Sequence, residues 1–203
     1  MSEDLVQITN DALSVQINAL GAETHRIRDA AGHDWLWHGD AAWWGGRAPI
    51  LFPIIGTVVE GHVAYDGDLR PMTKHGFARQ AVFDLTDQSS TRCTHRLLPD
   101  ADRRAAFPFE FALHVTHALR GTSLRVSARV ENRDTRPMPF GFGFHPAFVW
   151  PLPGAGRAPH QIRLDNGAEP ALARIDGAGR LLPDRLPSPF EAGVLTLSHD
   201  MFG

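Results

Sequence analysis

The 203-residue sequence predicts a mainly β protein, a large antiparallel β-sandwich. Three observations predict it. Short segments of alternating apolar and polar residues recur along the chain, turn signals built on Gly, Asn and Asp separate them, and helical periodicity is nearly absent. The 19 Gly and 15 Pro exceed average usage and agree with many turns. A single domain spanning 1–203 is the default for an all-β chain of this length.

Taken in order, Leu13, Val15, Ile17 and Ala19 alternate with Ser14, Gln16 and Asn18, as in a strand with one wet face. Glu23 to Arg28 and Asp34 to Trp37 read as a hairpin around Ala30-Ala31-Gly32. His62 to Tyr65 and Asp68 to Met72 flank Asp66-Gly67, a strong hairpin signal. Ala81 to Thr86 pairs with Thr91 to Leu98, and Asp100 to Ala106 is the best helical turn in the chain. Phe109, Phe111, Leu113 and Val115 form one half-buried strand; Leu124, Val126, Ala128 and Val130 form the next. After the Pro and Gly loop from Pro151 to Pro159, strands are expected over Gln161 to Asp165, Ala171 to Ile175 and Val194 to Leu197.

Composition narrows the function classes. A net charge of -3 and the absence of a polybasic run argue against a nucleic-acid partner. No apolar run approaches the ~20 residues that span a bilayer. The start Met1-Ser2-Glu3-Asp4 lacks the basic and apolar regions of a secretory signal, so a cytoplasmic location is expected. Cys93 is the sole cysteine, which excludes an internal disulfide and fits a reducing compartment. Among the 11 histidines, His114 and His117 lie three apart in a strand and face opposite ways. With no Cys pair and no His-Glu-x-x-His, no metal is expected. Gly141-Phe142-Gly143 lacks the strand-then-helix context of a dinucleotide loop.

Three stretches carry chemistry. In Pro139 to Phe148, strand alternation puts Phe140, Phe142 and Phe144 on one face and Gly141, Gly143 and His145 on the other. Two glycines in register imply that something approaches the sheet closely there, beside the His145 imidazole. Arg47 to Gly56 is an apolar run interrupted by Pro49 and Pro53, a buried irregular segment with Arg47 at its mouth. Lys74-His75-Gly76-Phe77-Ala78-Arg79 leaves a hairpin, where loops often carry function. The tryptophans Trp35, Trp37, Trp43 and Trp44 suit core, lid or a stacking wall for a sugar face.

Together Arg47 to Gly56, His75 to Arg79 and Gly141 to Phe148 resemble the aldose 1-epimerase (galactose mutarotase) superfamily, in its bacterial uncharacterised and hexose-phosphate epimerase-like branch. The likeness runs in order from about Leu13 to Phe202. It implies a galactose mutarotase-like sandwich that binds a pyranose and interconverts the α and β anomers of a hexose without cofactor or metal. By motif match, His145 is the catalytic histidine, His75 the second active-site histidine and Arg47 a substrate contact, with Arg79 a further candidate contact. Histidine can both give and take a proton near neutral pH, which ring opening and reclosure require. The family's base is a glutamate on a strand near the C-terminus; Glu169-Pro170 echoes its motif but sits too early. The chain is therefore expected to lack the last strands of the fold, with the base beyond Gly203. A non-catalytic carbohydrate-binding domain and a hexose-6-phosphate epimerase using Arg47 and Arg79 are the alternatives. The sequence does not define an oligomeric state.

Overall fold

A computed structural model describes residues 4–202; Met1 to Glu3, on which most of the expectation about a secretory signal falls, and Gly203 lie outside the described residues. The chain forms two compact units, one ending at Val149 and the other beginning at Trp150. Its fold is mainly antiparallel β.

The first unit opens with β1 (Leu5–Thr9), β2 (Leu13–Asn18) and β3 (Glu23–Asp29), a three-stranded antiparallel sheet. The turn into β2 is an Asx turn, in which Asn10 Oδ1 accepts from the amides of Ala12 at 3.0 Å and Leu13 at 2.8 Å. Val15 and Ile17 then point inward and are fully buried, as their alternation requires. After β4 (Ile50–Leu51) come β5 (His62–Tyr65) and β6 (Asp68–Pro71), joined at Asp66-Gly67 with φ of 52° and 91°. That is the left-handed pair a two-residue hairpin demands.

Strands β7 (Asp84–Gln88), β8 (Arg92–Leu97), β9 (Phe111–Arg120) and β10 (Ser123–Asn132) form a four-stranded sheet in the order β10-β9-β8-β7. Between β8 and β9 lies helix α1 (Ala101–Ala106), N-capped by Asp100, whose side chain accepts from the Arg103 amide at 2.8 Å. Ile8, Val15, Ile17, Cys93 and Leu119 pack between the two sheets. A larger cluster gathers Phe52, Tyr65, Phe83, Phe107, Phe109 and Phe111 beneath the 47–56 segment. Phe52 is fully buried, with ring centroids of Phe77, Phe107, Phe111 and Phe140 at 5.3–6.0 Å.

The Pro139 to Phe148 stretch is less regular than its alternation suggests. Only β11 (Gly143–Phe144) is strand, paired with β4, and Gly141 instead donates its amide to the Pro53 carbonyl at 2.7 Å. The close approach that Gly141 and Gly143 permit is made by the chain itself. A Cβ on Gly143 would meet Ile55 Cδ1 at 3.2 Å, and one on Gly141 would meet the Ile55 nitrogen at 3.5 Å. The glycine face is thus covered by Ile55, whose outer surface is exposed.

In the second unit β12 (Gln161–Arg163) pairs with β15 (Val194–Thr196), and β13 (Leu172–Ile175) with β14 (Leu181–Leu186). Among the described residues no helix is long and apolar enough to cross a membrane.

Candidate active site

His75 and Gly76 form the tip of the turn after β6, with φ of 67° and 73°. A left-handed histidine is costly, by ~1–2 kcal/mol, so its surroundings have to hold it. Gly56 does so twice. The His75 amide donates to the Gly56 carbonyl at 2.8 Å, and the Gly56 amide donates to His75 Nδ1 at 3.0 Å. An amide can only donate, so Nδ1 is the acceptor and the proton of the neutral ring sits on Nε2. Burial, and then the charges of Lys74, Arg79 and His145, push the His75 pKa down and keep the ring neutral.

Gly76 makes this turn possible. A Cβ there would lie 2.2 Å from the Phe52 carbonyl oxygen, where the amides of Phe77 and Ala78 already donate at 3.0 and 3.1 Å. The 52–53 backbone is thereby locked against the His75 turn.

His145 reaches the same place from the other side. Gly143 and Phe144 pair with Leu51 and Ile50, and the ladder continues as His145 donates to the Pro49 carbonyl at 3.2 Å and Ala147 to the Arg47 carbonyl at 2.8 Å. The exposed His145 ring stands 6.3 Å from that of His75, centroid to centroid. That is too far for a direct hydrogen bond between the rings. Trp44 stands edge-on to His145 at 5.3 Å and walls the site. Among the described residues no carboxylate is hydrogen-bonded or ion-paired to either imidazole.

The two arginines are placed differently. Glu23 Oε1 accepts from the amides of both Arg47 and Ala48 at 2.7 Å, which ties the 47–49 backbone to β3. The Arg47 guanidinium turns away to His25, with Nη1 at 2.9 Å from both the carbonyl oxygen and Nδ1. Arg79 Nη2 donates to the Lys74 carbonyl at 3.2 Å. Each arginine keeps a buried Nε without a partner. The histidines are therefore brought together; Arg79 acts on His75 through its charge, and Arg47 shares the His145 ladder through its main chain. Trp44 was visible in the sequence only as one of four clustered tryptophans, and nothing in its local pattern singled it out. An apolar cavity of this unit, about 380 Å³, is lined by Phe144, Pro146 and Phe148 but not by His145, as alternation requires.

The mainly antiparallel β fold thus presents a locked imidazole, a second imidazole and an indole edge at one surface. Residues 4–169 match the model of the aldose 1-epimerase family, and the chain belongs to that family. It is 35% identical over 153 residues to the plasmid-encoded protein LacX of Lactococcus lactis subsp. lactis, covering 72% of this chain and 51% of the relative. A galactose mutarotase related enzyme from Lactobacillus acidophilus superposes with a TM-score of 0.84 at 27% identity, over 98% of this chain and 66% of that one. A galactose mutarotase-like protein from Lactobacillus casei gives 0.77 at 31% identity, over 97% and 68%. The chain thus spans about half the length of the curated relative and two thirds of the solved structures.

Proposed function

We propose that the protein acts as an aldose 1-epimerase, opening a hexopyranose ring and letting it reclose on either face. The observation that carries this reading is the His75–His145 pair, 6.3 Å apart, with the His75 tautomer set by the Gly56 amide. In the proposed cycle His145 donates a proton to the ring oxygen as the C1–O5 bond breaks, while the anomeric hydroxyl gives its proton to a base. C1 then turns about the C1–C2 bond, and both transfers reverse. His75, neutral with its proton on Nε2, donates to a sugar oxygen and holds the pyranose in place. Trp44 offers an apolar edge to the sugar's C–H face. His145 is proposed as catalytic; His75 is proposed to bind substrate, as are Arg47 and Arg79 once their guanidinium groups turn to it.

A second reading, a domain that binds a sugar without turning it over, draws on the absence, among the described residues, of a carboxylate joined to either imidazole. Polarimetry on freshly dissolved α-glucose and α-galactose separates the two. Faster approach to the equilibrium rotation supports the epimerase; sugar binding with an unchanged rate supports the binding domain. Equal affinity for glucose and glucose 6-phosphate would remove the hexose-phosphate version, which needs Arg47 or Arg79 to grip the phosphate.

A further inference from the structure

Away from the candidate site, strand pairing assembles a cluster that sequence order conceals. Cys93 and His95 lie two apart on β8 and so share a face, and the antiparallel register sets His117 of β9 directly opposite Cys93. His114 does face the other way from His117, but the partners of His117 come from the neighbouring strand. All three side chains are fully buried, and their ligand atoms lie within 4.8 Å of one another.

Two features of the cluster point to a bound ion. Neither ring nitrogen of His95 has a hydrogen-bond partner, although every neutral imidazole carries one N–H and one lone pair. Buried polar atoms are rarely left so. His117 Nδ1 is also without a partner, whereas its Nε2 lies 3.0 Å from Thr24 Oγ1 of β3. If Nε2 donates to that hydroxyl, the Nδ1 lone pair is turned free, the arrangement in which an outer hydrogen bond orients a metal-binding histidine.

We propose that Cys93, His95 and His117 bind one soft or borderline metal ion, Zn(II) or Cu(I), with Thr24 orienting His117. Thiolate and imidazole are the donors these ions prefer, and three ligands suit trigonal Cu(I) or a Zn(II) site completed by one further oxygen. Each neutral imidazole offers one nitrogen lone pair to such an ion. Binding forms the metal–sulfur bond as the Cys93 S–H bond breaks, and one proton leaves for solvent. Thr24 and His117 line the 380 Å³ cavity, which supplies a route inward. A bound ion would join β8 to β9 and, through Thr24, secure β3 of the facing sheet.

The test titrates the chelator-treated 203-residue protein with Co(II), as a probe of Zn(II) binding, and anaerobically with Cu(I) against a chromophoric chelator. One equivalent of at least one ion is expected, with one proton released per ion in weak buffer. Co(II) binding should give a near-ultraviolet thiolate-to-cobalt charge-transfer band that Cys93→Ser abolishes. Thr24→Val should weaken binding by about 10–100-fold. Uptake of one ion and not the other identifies which it is. Folded wild-type protein that takes up neither ion, or binding without proton release, overturns the proposal even if Cys93→Ser does not fold. Binding that is unchanged in a folded Cys93→Ser variant overturns it as well.

Discussion

Replacing Gly76 by alanine would put a methyl group 2.2 Å from the Phe52 carbonyl oxygen, 2.5 Å from its carbon and 2.6 Å from the Pro53 nitrogen. All three are backbone atoms, so no rotamer change relieves the clash, and the 52–53 segment has to move away. Two costs follow. The φ of 73° costs an L-residue ~1–2 kcal/mol. The hydrogen bonds from the Phe77 and Ala78 amides to the same carbonyl weaken or break, at ~1 kcal/mol each. The sum is about 3–4 kcal/mol, which at ~2–4 °C per kcal/mol for a chain of this length lowers Tm by about 6–16 °C. Because Gly56 and Gly76 bracket His75, sugar affinity should fall with it. Thermal denaturation followed by circular dichroism and a sugar titration measure the two effects. A variant that melts within about 2 °C of wild type and binds sugar equally well would refute the claim that this contact locks the His75 turn.

Other perturbations test neighbouring parts of the account. Glu23→Ala leaves the Arg47 and Ala48 amides without their shared acceptor and should cost about 2–4 kcal/mol by urea denaturation, with weaker sugar binding. Glu23→Gln, which keeps an acceptor oxygen, should recover most of the loss; if the alanine variant is as stable as wild type, the tether is idle. Asp34 accepts from Arg26 Nε at 2.6 Å and Nη2 at 2.9 Å, and also from Arg28, and these partners hold its carboxyl well below the usual carboxylate range. Its contribution is present at neutral pH and is lost as pH falls below about 4. Since the group is 40% exposed, that contribution is at most ~1 kcal/mol. The stability gap between wild type and Asp34→Asn should therefore close in acid; a gap that is constant with pH contradicts this. For His75 the pKa is lowered, so the unfolded chain protonates first and stability declines as pH drops below about 6.5. Sugar affinity should decline at a still lower pH, when Nδ1 takes a proton and loses the Gly56 amide, and His75→Ala should lose this dependence.

Most strands were legible because alternation and turn chemistry act locally. The Asp66-Gly67 hairpin, β2, β9, β10 and the Asp100-capped helix lie where their patterns put them. Strand β1 escaped because Leu5 and Val6 break the alternation and only Ile8 is fully buried. Strand β14 escaped because it is exposed throughout and carries Pro183, Asp184 and Arg185, a composition that reads as loop. His75 and His145 could be singled out because their motifs are contiguous. The direction of the Arg47 guanidinium could not, since it depends on the His25 carbonyl across β3. The glycine face was read correctly as a place of close approach, but what approaches, Ile54 to Ile55, could not be named because it lies about 85 residues earlier in the chain. The Cys93, His95 and His117 cluster depends on the register of β8 against β9, which no single-strand pattern contains.

The central claim is that the His145 ring moves the proton that opens the sugar. The most direct measurement is the catalysed rate of anomer exchange, by polarimetry or by NMR exchange between anomeric protons, for wild type and for His145→Asn with their melting temperatures compared. The account predicts a fall of about 10²–10⁴-fold at an unchanged Tm, because the exposed ring can be replaced without disturbing its backbone ladder. A folded His145→Asn variant that exchanges anomers as fast as wild type would contradict it.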